Sequence, residues 1–282
     1  MGEADTVTLT RTQVVELLER HGLAPSRALG QNFVVDPNTV RRIARLAEVG
    51  PGDSVVEVGP GVGSLTTALA ETGATVTAVE LDRHLLPVLE EVVVPLGVRV
   101  VQGDALAVDW SELLASAPAW TLVANLPYNV GTTIVLQLLD DVPAIETMLV
   151  MVQREVGERL AAGPGGGAYG IPSVKVALWA TAEVVGRVPP TVFVPQPKVE
   201  SVLVRIRRRP RPAVDADRDV LFALVRKAFG QRRKMLRRSL SGWVTSEMFA
   251  AAGVAPDERP EQLGIEQWGA LADVVGPAPV PG

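Results

Sequence analysis

Three stretches of this 282-residue chain carry residue types and spacings that could do chemistry. EVGPGVGSLT (57–66) places glycines at 59, 61 and 63. A glycine turn lets backbone approach a ligand with no Cβ in the way, and a helix start behind it favours negative charge. The spacing is GxGxG and not the GxGxxG of the common dinucleotide fingerprint, and glycine turns also arise for packing alone. Further on, Glu80 closes TVTAVE, where a carboxylate can accept from two ribose hydroxyls. Asp104, in QGDAL, stands where it can accept from an adenine amino group. Asn125 heads NLPY (125–128).

NLPY raises a specific chemistry. An exocyclic adenine amine is a poor nucleophile because its lone pair is delocalised into the ring. Two acceptors aimed at its two N–H bonds would hold it and favour a more pyramidal nitrogen. The Asn125 side-chain oxygen and the Leu126 or Pro127 carbonyl could supply them. Pro127 fixes the turn, and Tyr128 offers a ring on which a base can stack. NAD and S-adenosylmethionine both fit the first three strand ends. No proton-transfer group for a hydride reaction is clustered with them, and Asn-Leu-Pro-Tyr suits methyl transfer to an amino nitrogen better. The sulfonium methyl comes already activated, which leaves the protein orientation and electrostatics.

The elements that must position these groups are a strand–helix alternation. SVVEVG, TVTAVE, VRVVQGD, TLVANL and MLVMV read as strands separated by helical segments. Val-rich strands of this kind predict a parallel sheet covered on both faces, a doubly wound α/β fold of Rossmann-like type. Polar side chains at the carboxyl ends of successive parallel strands would then face one crevice. Before this region, residues 11–24 show helical periodicity and PSRALGQNFVV reads as a loop. Asp36-Pro37 opens a helix whose Val40, Ile43, Ala44 and Ala47 form a buried stripe. After it, AAGPGGGAYG (161–170) predicts a mobile connection, VVGRVPPTVF and SVLVRIRR two more strands, and RRRPRPAVDAD a linker. Residues 216–275 read as short helices. The expected domains are 1–210, carrying the Rossmann-like unit, and 211–282, a small all-helical unit.

Composition narrows the classes. The chain has no cysteine and two histidines, His21 and His84, in unrelated contexts. Thiolate nucleophiles, disulfides, thiolate zinc sites and a serine–histidine triad have nothing to build on, and no metal is expected. No apolar run approaches the length of a membrane span, and MGEADTVTLT lacks a signal-peptide profile, so the expected location is cytoplasmic.

With these residues in hand, the chain resembles the KsgA-type ribosomal RNA adenine dimethyltransferases, relatives of the erythromycin-resistance rRNA methyltransferases. The resemblance runs from about Ser26 to Leu240. In order, it rests on LGQNFVVD (29–36), EVGPGVGSLT, VELD (79–82), QGDAL, NLPYN (125–129), VFVPQPKVESVLVRI (192–206) and AFGQRRKMLRRSL (228–240). It implies that Asn32, Val34, Gly59, Glu80, Asp104 and Asn125 contact S-adenosylmethionine, with Gly61 in the same glycine turn. It further implies an adenine pocket at Asn125 to Tyr128, and that Phe193 stacks on the other face of the base. Read without the family, Phe193 is a strand-end core residue. The implied reaction is N6,N6-dimethylation of two adjacent adenosines near the 3′ end of 16S rRNA, in a partly assembled 30S particle, by a monomer. Two other readings are a 23S rRNA adenine methyltransferase of the macrolide-resistance type and a ribosome-assembly factor acting by binding. The chain departs from the family's common YGRLSV with YGIPSV (169–174), losing an arginine and gaining Pro172.

Charge is divided unevenly. The chain carries a net −5, yet residues 195–240 hold 14 of its 27 Lys and Arg against four acids. RIRRRPR (205–211), with Arg207 and Arg208, is one cluster. RKAFGQRRKMLRR (226–238) is the other, with Arg226, Lys227, Arg232, Arg233, Lys234, Arg237 and Arg238 at helical spacing. A solvated helix face would interleave acids, and none occurs between 220 and 246. The expected partner of these cations is the phosphate backbone of RNA, which they would position without choosing the base.

Overall fold

The computed structural model describes residues 8–26 and 28–276. Residues 1–7, on which part of the expectation about the N-terminus rests, lie outside them. The chain divides into two compact units, residues 1–157 with 183–208, and residues 158–182 with 209–282. Residues 158–182, expected within 1–210, group with the C-terminal unit.

The first unit begins with α1 (Arg11–Arg20), β1 (Phe33–Val34) and α2 (Pro37–Ala47). The Asp36 carboxylate caps α2 by accepting from the Thr39 amide at 2.8 Å, and Pro37 occupies its first turn. The buried face of α2 is Val40, Ile43, Ala44 and Ala47. Then come β2 (Ser54–Val58), α3 (Ser64–Ala70), β3 (Thr75–Glu80), α4 (Leu86–Val92), β4 (Arg99–Gln102), α5 (Trp110–Leu113), β5 (Trp120–Asn125), α6 (Gly131–Asp141) and β6 (Ile145–Gln153). The helix α7 (Arg154–Leu160) and the strand β7 (Ala180–Val188) each run across the division between the units. The last strands are β8 (Phe193–Val194) and β9 (Ser201–Arg208).

The main sheet has the order β4-β3-β2-β5-β6-β9-β7. Its first five strands are parallel, in the reversal of order that leaves a crevice beyond the carboxyl ends of β2 and β5. These are the five strands expected to form a parallel sheet, and β9 extends it by pairing antiparallel with β6 from Thr147↔Arg207 to Gln153↔Ser201. The sheet is mixed. A correction concerns VVGRVPPTVF, expected as one strand. Pro189 and Pro190 cannot donate to a ladder, so β7 ends at Val188, a short 3₁₀ turn follows, and β8 begins at Phe193. β8 pairs antiparallel with β1, Phe33↔Val194 and Val34↔Phe193, so the segment expected as a loop contributes a strand.

The C-terminal unit contains α8 (Ile171–Trp179), α9 (Arg218–Phe229), α10 (Leu236–Ser239), α11 (Ser246–Ala251) and α12 (Ile265–Val275). Its core includes Tyr169, Val174 and Leu178 beside Leu224, Leu236 and Trp268, which is why 158–182 belongs with it. Pro172 falls in the first turn of α8, where a missing N–H leaves no helical bond unmade. The glycine-rich connection is tied down along its length. Gly165 donates its amide to the Glu261 carbonyl at 2.6 Å, and the Tyr169 hydroxyl donates to the Leu263 carbonyl at 2.9 Å. AFGQRRKMLRRSL is not one helix: α9 stops at Phe229, residues 230–235 turn, and α10 adds a single turn. Among the described residues no helix is long and apolar enough to cross a membrane.

Candidate active site

A cavity of ≈ 940 Å³, including its open mouth, lies beyond the carboxyl ends of β2, β3 and β5. It lies wholly within the first unit. The segment 29–34, the glycine turn and Asn125 to Tyr128 all line it.

The glycine turn is built as its sequence demands. Gly59, Gly61 and Gly63 all have positive φ, 71°, 63° and 89°, which β-carbon-bearing residues rarely adopt. At Gly61 there is a second reason. A Cβ there would sit 2.8 Å from the Phe33 ring, so the glycine makes room for the β1 wall. The Gly61 amide donates to Glu80 Oε2 at 3.1 Å, and the Asp82 amide donates to Oε1 at 2.8 Å. These bonds lock the Glu80 carboxyl while leaving each oxygen a further lone pair for a hydroxyl. Burial raises its pKa, and the Asp82 and Gly61 amides oppose that rise. Asp104 accepts from the Leu106 amide through Oδ1 at 2.9 Å, which leaves Oδ2 for an incoming donor.

Asn125 is oriented by the segment 29–34. Its Nδ2 donates to the Asn32 carbonyl at 2.9 Å, so the end left for a donor in the cavity is Oδ1. Pro127 already accepts through its carbonyl from the Gly131 and Val130 amides, at 2.9 and 3.3 Å, closing the turn into α6. The Leu126 carbonyl accepts no hydrogen bond among the described residues. The geometry therefore favours Leu126 over Pro127 as the second acceptor. Tyr128 is half-buried, and its hydroxyl shares a 2.9 Å hydrogen bond with that of Ser201, a fully buried residue at the start of β9. Gly30 lies against the same turn: a Cβ there would be 3.0 Å from Asn129 Oδ1.

Asn32, Val34, Gly59, Gly61, Glu80, Asp104 and Asn125 to Tyr128 thus come together around one cavity. Phe193 does not. Its side chain is 1% exposed in a core cluster with Leu203 and Val188 and does not line the cavity. Sequence reasoning missed Glu57 and Ser201. An acid inside a valine strand, directly before the glycine turn, was the available signal for Glu57. For Ser201 there was none.

The basic residues divide similarly. Arg208 is corrected outright: its guanidinium donates to the carbonyls of Ile145, Leu139, Leu138 and Val142 at 2.9–3.2 Å and caps the end of α6. It is spent on the fold. Arg207 pairs with Glu48 at 3.0 Å and Glu183 at 3.7 Å. In the C-terminal unit, Arg232 donates to the Gly167 carbonyl at 2.8 Å and pairs with Glu261. The Lys227 ammonium lies 4.3 Å from the centre of the Trp243 ring. Arg226, Arg233, Lys234, Arg237 and Arg238 are exposed in the same unit. Among the described residues there is no cluster of three or more His, Asp or Glu able to hold a metal ion.

Comparison with known proteins gives a consistent result. The family model described as ribosomal RNA adenine dimethylase matches residues 24–275. The ribosomal RNA small subunit methyltransferase A of Thermobifida fusca is 49% identical over 281 residues, 96% of this chain and 97% of that protein. Its counterpart in Kineococcus radiotolerans is 47% identical over 277 residues, 96% and 92% of the two chains. Among solved structures, the 23S rRNA methyltransferase ErmE is 26% identical, with a TM-score of 0.66 over 86% of this chain and 99% of its own. A dimethyladenosine transferase from Plasmodium falciparum, 21% identical with a TM-score of 0.70 over 84% of this chain and 94% of its own, shares the fold.

Proposed function

The chain belongs to the ribosomal RNA adenine dimethylase family, and from that premise we propose that it uses S-adenosylmethionine to dimethylate N6 of two adjacent adenosines near the 3′ end of 16S rRNA. The substrate is the 30S particle or its precursor, and the role one in small-subunit biogenesis in the cytoplasm, with the protein acting as a monomer. The donor set supports the cofactor: Glu80 for a ribose diol and Asp104 Oδ2 for an adenine amine. When bound, the cofactor supplies an electrophilic methyl group.

The single observation that carries the reading is the orientation of Asn125. Because Asn32 takes its NH₂, Asn125 presents an oxygen, and an amine to be methylated needs acceptors. The Leu126 carbonyl is the second acceptor, 1 residue away along a turn that Pro127 stiffens. Tyr128 stacks on the base, its ring held by the Ser201 hydroxyl. No side chain here has to act as a strong base. Orientation and fixed dipoles supply the rate. Exposed cations of the C-terminal unit, Arg226, Arg233, Lys234 and Arg237 among them, contact phosphates of the rRNA.

The test is transfer of labelled methyl to undermethylated 30S particles, beside 50S particles and an Asn125→Ala variant, followed by nucleoside analysis. Dimethyladenosine in 30S alone, lost in the variant, is the expected outcome. Label in 50S would move the assignment to the resistance type, and binding without transfer to an assembly factor.

A further inference from the structure

Asn125 is held by a carbonyl, and that carbonyl must itself be held. It belongs to Asn32, and the chain is fixed on both sides of it. After it, Phe33 enters β1 and pairs opposite Val194. Before it, Gln31 Nε2 donates to Asp82 Oδ2 at 2.9 Å, a bond that joins residues 51 apart. Asp82 Oδ1 is taken by the His84 amide at 3.0 Å. The Asp82 amide donates to Glu80 Oε1 at 2.8 Å, so Gln31 is tied to a residue that helps to lock Glu80. The other end of the Gln31 carboxamide is also used, since Oε1 accepts from the Ser26 amide at 2.8 Å. The Gln31 backbone amide donates back to the Ser26 carbonyl at 3.1 Å. Nothing in the proposed reaction gives Gln31 a task. Yet it is bonded toward one end of the site and joined in the chain to the other.

We propose that Gln31 is a positioning residue for methyl transfer: its bond to Asp82 fixes the Asn32 carbonyl, and through it the amide of Asn125. The proposal rests on the reading of Asn125 Oδ1 as an acceptor for the target amine and of Glu80 as the partner of the cofactor's ribose. An asparagine amide offers donors at one end and an acceptor at the other. Should the Asn32 carbonyl drift, the Asn125 amide is free to turn and to meet the amine with its own N–H groups. Donor then faces donor, and the attacking nitrogen is no longer aimed. The loss falls on the chemical step, where a misplacement of about 1 Å can cost roughly 10²-fold in rate. The same bond completes a hydrogen-bonded path from Asn125 through Asn32, Gln31 and Asp82 to Glu80. Gln31 thus sets the group that aims the methyl acceptor relative to the group that holds the cofactor.

Reversing the bond tests this. Gln31→Glu puts two carboxylates face to face. Asp82→Asn leaves donor facing donor however the two amides turn, because the Ser26 and His84 amides each claim an oxygen. In the double variant the amide at 82 donates to the carboxylate at 31, both backbone amides keep their acceptors, and net charge is unaltered. Methyl transfer to undermethylated 30S particles at saturating cofactor separates kcat from KM. Each single variant should lose about tenfold in kcat, with KM for 30S and the thermal unfolding midpoint little changed. The double variant should recover most of kcat, and it decides even where a single variant does not fold. Unchanged kcat in both single variants overturns the proposal, as does a double variant no better than the worse single one. A kcat that falls only in step with the unfolding midpoint, or a loss confined to KM, would make Gln31 a structural residue and overturn it as well. No transfer by the unaltered protein would overturn the proposed function and this inference together.

Discussion

A side-chain amide is ambiguous until something takes one end of it, and here the Asn32 carbonyl takes the NH₂ of Asn125. Tyr128 is settled in a similar way by Ser201, at 2.9 Å. If the value of Ser201 lies in that one bond, Ser201→Ala and Tyr128→Phe should each lower kcat several-fold with little change in KM for the cofactor. The double variant should then be no worse than either single one. A double-mutant cycle on methyl transfer checks this, since two independent structural roles would add instead. Glu57, 1% exposed on β2, bears on stability. An acid whose pKa is raised by folding stays protonated in the folded chain while the unfolded chain ionises, so it costs stability as pH rises from about 4.5 towards about 8. Each unit of displacement is worth about 1.4 kcal/mol. Glu57→Gln, which cannot ionise, should therefore gain on the unaltered apoprotein by about 2–3 kcal/mol between pH 5.5 and pH 7.5. Urea unfolding at the two pH values measures it, and a constant gap would show that Glu57 is already ionised in the fold.

At the level of elements, legibility followed the range of the interaction. The strands β2 to β6 announce themselves because buried parallel strands need unbroken apolar runs, and the polar residues at their ends stand out against those runs. The α2 cap and stripe are equally local. What could not be read is what pairs over distance. β1 and β8 are about 160 residues apart in the chain and only two residues long, and neither has a periodicity of its own. Phe193, on β8, is buried in the core as its residue type alone suggested, and is absent from the cavity lining that the resemblance implied for it. Arg208 fails for a related reason: its composition says charge, but its neighbours are carbonyls at the end of α6, which only the folded chain brings to it. Gly61 is the element-scale test. Gly61→Ala combines a φ of 63° with a Cβ that would lie 2.8 Å from the Phe33 ring. It should cost about 1–3 kcal/mol in strain and steric adjustment. Cofactor affinity should fall more than tenfold, because the Gly61 amide also orients Glu80. Calorimetry with S-adenosylhomocysteine and thermal unfolding would show both losses; an unchanged affinity would mean the β1 wall yields freely.

Across the whole molecule, charge and fold are partitioned along different lines. The net −5 hides a basic stretch that is divided between the two units: Arg207 and Arg208 belong to the first, and the 226–238 cluster belongs to the second. Within the first unit those two arginines are answered, by acids for Arg207 and by helix-end carbonyls for Arg208. Within the second, no acid lies between 220 and 246 to answer Arg233, Lys234 and Arg237, all of them exposed. Opposite behaviours follow for residues that composition alone would group together. Removing a cation that contacts a phosphate lowers the number of counterions released on binding, so Arg233→Ala and Lys234→Ala should each reduce the slope of log affinity against log salt by about 0.7–0.9. Neither should shift the unfolding midpoint. Arg208→Ala should leave the salt slope intact and instead cost about 2–3 kcal/mol of folding stability, through four lost charge-assisted bonds, although the Leu138 and Val142 carbonyls each keep a backbone partner. Binding to 30S particles across a salt series, beside denaturant unfolding of the same three variants, separates the two classes. A salt slope that fell with Arg208→Ala and held with Arg233→Ala and Lys234→Ala would return the RNA contact to the first unit.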